Sequence, residues 1–163
     1  MLRDKNLIPL SHQHRRALVL CVRIERSLDA GKVDLSAWQP EIELHYSQEI
    51  KFHFAAEEQV LFPAANRFPE LAPLVKELLQ EHASLREFFE QAAGRKMGQS
   101  DLGKFAKLLS SHIRKEEREL FEAMQNLMPA EDMAELGKGL AQSQEGAIQA
   151  CILPQGGITK QTI

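Results

Sequence analysis

Two copies of the pattern His-x-x-x-Glu carry the chemistry of this chain: H-F-A-A-E, with His53 and Glu57, and H-I-R-K-E, with His112 and Glu116. Four residues along a helix is about 6 Å of rise and roughly 40° of rotation, so each pair puts an imidazole and a carboxylate on one stripe. Imidazole and carboxylate together suit iron, manganese or zinc. The likeness extends past each pair, H-F-A-A-E-E-Q-V-L-F against H-I-R-K-E-E-R-E-L-F. This weak internal repeat predicts pseudo-twofold symmetry around a site.

Helix phase sorts the six histidines. His14 shares a stripe with Leu10, Ala17, Leu18 and Cys21. His53 lies with Tyr46, Ile50, Ala56, Val60 and Leu61, and His82 with Leu78, Leu79, Leu85 and Phe89. His112 lies with Phe105, Leu108, Leu109 and Leu120. All four face the core. His12, flanked by Ser11 with Arg15 and Arg16 on its side, faces solvent. His45 is eight residues before His53, about 12 Å along the axis, too far to reach the same ion. A single inward histidine is ordinarily a hydrogen-bonded core residue. Four of them, one to a helix and accompanied by Glu57 and Glu116, argue otherwise. Burying two carboxylates without compensation is costly, and divalent cations would neutralise them while ligating the imidazoles.

The other acidic residues read differently. Glu58 and Glu117 follow the inward carboxylates by about 100° of rotation, which predicts solvent or ion pairs for them. Glu49, one turn before His53, is expected to pair with Arg86 rather than to bind metal. Tyr46 and Glu49 are the expected groups behind the imidazoles, with Leu18, Val60, Leu85 and Leu108 expected to keep water out. There is no H-E-x-x-H, no Glu-x-x-His at any histidine, no Gly-rich phosphate loop and no nucleophile elbow.

Four long helices must position these residues. Apolar–polar alternation is absent and helical periodicity dominates. The first helix is expected from Ser11 as N-cap to about Ala30, stopped by Gly31. The second runs from near Ser36, with Pro40 in its opening turn, to about Phe62, where Pro63 bends or ends it. The third covers about Glu70 to Ala93. The fourth is capped by Ser100 or Asp101 and ends before Pro129. A fifth, shorter helix fits Ala130 to about Ala150, followed by a frayed tail over 153–163. The expected fold is all-α: an up-down-up-down four-helix bundle over about 10–128 with a short additional C-terminal helix, all in one domain spanning 1–163.

Composition narrows the class. The 163 residues suffice for one full core. A net charge of −3 gives no electrostatic case for nucleic acid or an anionic membrane. The longest apolar stretch, Ala17 to Val22, is too short to span a bilayer. No signal-like segment opens the chain, so a cytoplasmic location is expected. Cys21 and Cys151 give no disulfide framework, and Cys21 reads as a reduced, buried thiol.

The helix order His14, His53-x-x-x-Glu57, His82, His112-x-x-x-Glu116 resembles the hemerythrin family, and more closely the bacterial hemerythrin-like, HHE cation-binding proteins. The resemblance covers about Leu10 to Met128, and the E-E-Q-V-L-F-P and E-E-R-E-L-F segments strengthen it. It implies a non-haem di-iron centre. His14 and His53 would bind one iron, His82 and His112 the other, and Glu57 and Glu116 would bridge the two. Oxygen-carrying hemerythrins have His-x-x-x-His on the third helix, where this chain has Arg86. On the fourth helix they have His-x-x-x-x-Asp, where this chain has Glu116 at the shorter spacing. The resemblance therefore implies one histidine fewer on one iron.

On this reading the chain is a di-iron protein that binds dioxygen or a related small ligand, for sensing, storage or carriage. The alternatives are an oxidoreductase acting on peroxide or nitric oxide, and an iron-responsive interaction module. The fifth helix, with M-A-E-L-G-K-G-L, either packs on the bundle or forms a contact in a homo-oligomer.

Overall fold

The computed structural model describes the backbone of residues 2–152 and the side chains of residues 2–145. The described residues form five helices and no strand: α1 (Ile8–Asp29), α2 (35–65), α3 (Ala72–Ala93), α4 (99–127) and α5 (Ala130–Ile152). The tail expected over 153–163 lies outside the described residues.

The helix ends reflect local chemistry. α1 begins earlier than expected. Leu7 is its N-cap and Pro9 sits in its first turn, where a missing N–H costs nothing. Ser11 is inside the helix rather than its cap. At the other end Gly31 takes a φ of 63°, the left-handed conformation that a glycine adopts without strain. α2 is capped by Asp34, whose carboxylate accepts from the N–H groups of Ser36 at 2.9 Å and Ala37 at 3.2 Å. Pro40 falls in the second turn, not the first, and the helix continues through it. Pro63 does not end α2 either, since helix persists to Ala65. A 3₁₀ turn, Pro69–Leu71, leads into α3. Gly98 is the N-cap of α4, and Asp101 reaches back from the first turn to the Gly98 N–H at 3.4 Å. α4 ends at Leu127, two residues before Pro129.

Three turns in α2 and α4 are wider than α-helical: Tyr46–Ile50, Glu57–Leu61 and Glu116–Leu120. The last two begin at the two inward carboxylates. In each, an N–H bonds five residues back, Phe62 to the carbonyl of Glu57 and Phe121 to that of Glu116. One such π turn adds a residue to the helix and rotates the next turn relative to the one before it. As a result Leu61 with Phe62, and Leu120 with Phe121, are all buried, while Val60 is only half-buried.

The core has two apolar parts with the polar residues between them. One contains Ala17, Cys21, Ile50, Phe54, Leu85, Phe89, Leu109 and Ile113. The other contains Leu10, Ala56, Leu61, Phe62, Leu78, Leu120 and Phe121, together with Met133, Leu136 and Leu140 of α5. α1 packs along α4, α2 along α3, and α5 along the part of α2 that carries His53 and Glu57. Cys21 is buried and free, and burial pushes its thiol up to about 12, so it is unreactive. None of the described helices is long and apolar enough to cross a membrane.

Candidate metal centre

His14, His53, Glu57, His82, His112 and Glu116 come together in the middle of the bundle, each buried. Two overlapping groups of potential ligand atoms form there, His14–His53–Glu57–Glu116 and Glu57–His82–His112–Glu116, each within 4.8 Å of one another. Both carboxylates belong to both groups. Glu57 Oε1 is 2.9 Å from His53 Nε2 and 3.6 Å from His14 Nε2, while its Oε2 is 3.3 Å from His82 Nε2. Glu116 Oε2 is 3.1 Å from His14 Nε2 and 3.4 Å from His112 Nε2.

Every imidazole is held from behind at Nδ1. His14 is 2.7 Å from Glu117, His53 is 2.6 Å from Gln13 Oε1, His82 is 2.8 Å from Glu58 and His112 is 2.8 Å from Glu81. Carboxylate and amide oxygens accept, so each Nδ1 carries the hydrogen and each neutral ring presents a bare Nε2 inward. The Nε2 atoms of His14 and His53 are 3.0 Å apart, and those of His82 and His112 are 3.1 Å apart. Four lone pairs therefore face four carboxylate oxygens of Glu57 and Glu116, all buried and without a hydrogen-bond partner. Acceptors converging on acceptors are unfavourable unless positive charge lies among them. Protons would supply some of it. Burial opposes a charge on His14, but Glu116, Glu117 and Glu57 outweigh burial and raise its pKa well above the ordinary value. His82 is likewise opposed by burial and carried by Glu57 and Glu58 to about 9. Divalent cations would satisfy the same set more completely, because a cation can take nitrogen lone pairs and a carboxylate oxygen at once. The donor set thus fits a metal site.

The groups behind the histidines are themselves anchored. Glu58 accepts from Arg86 at 2.7 Å, and Glu117 from Arg3 at 2.7 Å. Glu81 is bonded by Lys115. Burial pushes the Glu117 carboxyl up, but the His14 bond and the Arg3 charge bring it down to about 2. Glu58 and Glu117 are thus ion-paired, as their phase predicts. Glu49 is paired too, but with Arg16 at 2.8 Å rather than with Arg86. Tyr46 stacks on Phe89 at 4.4 Å and holds no imidazole. The sequence reading missed Gln13 and Glu81. Both directly precede an inward histidine, Q-H and E-H, and that repeated adjacency was the available signal.

Aromatic rings close the site. Phe54 stacks on His82 at 3.7 Å between centroids, Phe121 on His14 at 5.6 Å, and Phe62 lies 5.4 Å from His82. Of the expected water-excluding residues Leu85 is buried, whereas Leu18, Val60 and Leu108 are half-buried. A cavity of about 20 Å³ remains beside His14, His53 and His112, walled by Ala17, Ile50, Phe54, Leu109 and Ile113, with Gln13 and Glu49 on its edge. His45 and His12 lie outside the cluster.

The family model for the hemerythrin HHE cation binding domain matches residues 9–124. The chain belongs to the hemerythrin HHE cation-binding family. Its inward histidines and both carboxylates all fall within the matched residues, and membership of this family implies cation binding. No curated protein and no solved structure matches the chain. α5, from Ala130 onward, lies beyond the hemerythrin HHE match.

Proposed function

We propose that this chain is a non-haem di-iron protein that binds dioxygen or a similarly small ligand. His14 and His53 would hold one iron, His82 and His112 the other, with Glu57 and Glu116 shared between them. The observation that carries this reading is the convergence of four bare Nε2 atoms on four unpartnered, buried carboxylate oxygens. In the bound state, reduced iron would supply the electrons that let a diatomic molecule bind reversibly.

The chain's own residues would do the rest. Glu117, Gln13, Glu58 and Glu81 fix the tautomer of each imidazole and aim it inward. Phe54, Phe62 and Phe121 exclude water. The cavity beside His14, His53 and His112 has room for a ligand of about the size of a water molecule. Its apolar walls favour an uncharged diatomic such as dioxygen or nitric oxide over a polar substrate. Arg86, which stands where oxygen carriers have a histidine, is drawn away by Glu58, and Phe54 covers that side of His82. The cavity therefore supports ligand access at the His14–His53 pair.

The architecture supports the same reading. α1 and α3 each pass from the Leu10 and Leu78 part of the core to the other, and α2 and α4 run back. We read this as an up-down-up-down bundle that forms one domain with α5 packed on it. The test is elemental analysis after loading with ferrous iron without oxygen and desalting, followed by absorption spectra as oxygen is admitted and removed. Two irons per chain and a reversible visible band are expected. No bound iron, or zinc retained in preference, would sink the reading. Many turnovers of peroxide or nitric oxide per iron would make the protein an enzyme instead.

A further inference from the structure

The site's pseudo-twofold symmetry relates α1 and α2 to α3 and α4. His14 corresponds to His82, His53 to His112, Glu57 to Glu116, and Glu58 to Glu117. Gln13 corresponds to Glu81, and there the symmetry breaks. Three histidines are held at Nδ1 by carboxylates, but His53 is held by an amide oxygen, Gln13 Oε1 at 2.6 Å. On one side Lys115, from α4 itself, steadies Glu81. On the other, the steadying group comes from α5: Gln144 Nε2 donates to Gln13 Oε1 at 3.4 Å.

We propose that Gln13 is a positioning residue for His53 and that α5 holds it through Gln144, so that docking of α5 and metal binding at the His14–His53 pair favour each other. The inference rests on the metal site proposed above. A carboxylate accepts whichever way it turns, but an amide has a donating face and an accepting face. With Oε1 toward His53, Nδ1 keeps the hydrogen and Nε2 is a ligand. Were the amide to turn, its NH₂ would face Nδ1, the ring would move its hydrogen to Nε2, and the ligand lone pair would be lost. Gln144 donates to the same Oε1 and so selects the productive orientation. By linkage, metal at His53 must stabilise the docked α5 as much as α5 strengthens metal binding.

The packing of α5 gives it the close seat this requires. A Cβ on Gly139 would lie 2.9 Å from Val60 Cγ1, within the π turn that begins at Glu57. A Cβ on Gly137 would lie 2.3 Å from Asn6 Oδ1 and 2.8 Å from Asn6 Cβ. Both glycines let α5 approach the same half of the site. The family match ends at residue 124, so Gln13 lies inside the matched residues and Gln144 outside them.

The test uses the full chain, ferrous iron and a competing chelator, without oxygen. Gln13→Ala should weaken one of the two binding steps about tenfold or more, in line with other groups behind metal ligands, and Gln144→Ala should weaken the same step several-fold. Gln13→Glu should restore the affinity, and on that background Gln144→Ala should have no further effect. Lys138→Ala, which breaks an α5 surface pair with Glu135, should change nothing. Iron loading should also slow amide hydrogen exchange in α5, and Gln144→Ala should abolish that slowing. If the wild type loads normally but Gln144→Ala leaves both steps unchanged, or weakens them equally with Glu at position 13, the proposal is overturned alone. A wild type that takes up no iron overturns the metal reading and the proposal with it.

Discussion

Glu57 and Glu116 sit between two pairs of imidazoles with every carboxylate oxygen unpartnered, so on the proposed reading each would be shared by both pairs. Glu57→Ala or Glu116→Ala should therefore lower both iron positions together, to well below one iron per chain by elemental analysis. Loss of a single iron would mean that the carboxylate belongs to one pair only. Glu81 acts through one histidine. Glu81→Ala should cost roughly 10–100-fold in affinity for one ion and leave the other unchanged, as read by a two-step chelator competition. At this scale the six central residues were legible because helix phase separates His14, His53, His82 and His112 from His12, and distance along the axis separates them from His45. Their partners were less so. Glu49 and Arg86 are both where phase puts them, but each found a nearer counter-charge, Arg16 and Glu58. Which pair of long, charged side chains meets depends on sub-turn offsets between helices that spacing within one helix does not specify.

The π turns are what turn a repeated sequence into a repeated site. Both E-E-x-x-L-F segments widen at the first glutamate, and both deliver their phenylalanine beside the histidine of another helix, Phe62 at His82 and Phe121 at His14. In an uninterrupted α-helix the carboxylate and the phenylalanine five residues on would diverge by about 140°. Deleting the exposed Gln59 should let the Glu57 turn relax to α-helical geometry, which rotates His53 and Glu57 by about 100° relative to Leu61 and Phe62. Helicity by circular dichroism should persist, and iron retained after desalting should fall because Glu57 and the buried Leu61 and Phe62 can no longer all be turned inward together. Full retention of both irons would show that the widened turn does not place Glu57. Sequence periodicity located α2 and α4 but not these turns, since an inserted residue is invisible to a fixed 3.6-residue period. It also expected Pro63 to bend or end the helix near Phe62, whereas α2 carries on past it to Ala65, directly after the widened turn. Gly31 and Pro129, whose effects are local, marked the helix ends correctly.

Across the whole molecule, one buried centre of charge divides the core, so its occupancy governs stability as a function of pH. Without metal, protons take the cation's place. His82 is raised from an ordinary value of 6.5 to about 9, and His14 is raised as well. A group whose folded-state pKa is raised contributes stability that is complete below its unfolded value and is lost as pH rises through its folded value. Metal-free protein should therefore lose stability between about pH 6.5 and 9. Iron-loaded protein should hold its stability over the same window, because its ligating imidazoles carry no proton and neither do those of the unfolded chain above about pH 6.5, while apparent affinity rises as the metal-free site sheds its protons. At free metal about 100 times its dissociation constant, binding adds about 2.7 kcal/mol per ion, or roughly 5–11 °C in Tm for a domain of this size. The gap in Tm between loaded and metal-free protein should thus widen steadily from pH 6.5 to 9. On the acid side Glu117, held at about 2, and Glu57, also lowered, contribute stability that is present above the ordinary carboxylate range and lost as pH falls toward their folded values. Calorimetric scans of both forms across this range check the account. A gap that stays constant with pH would mean that no proton leaves the imidazoles on loading, and protonated His14 and His82 would then not be what compensates the carboxylates in metal-free protein.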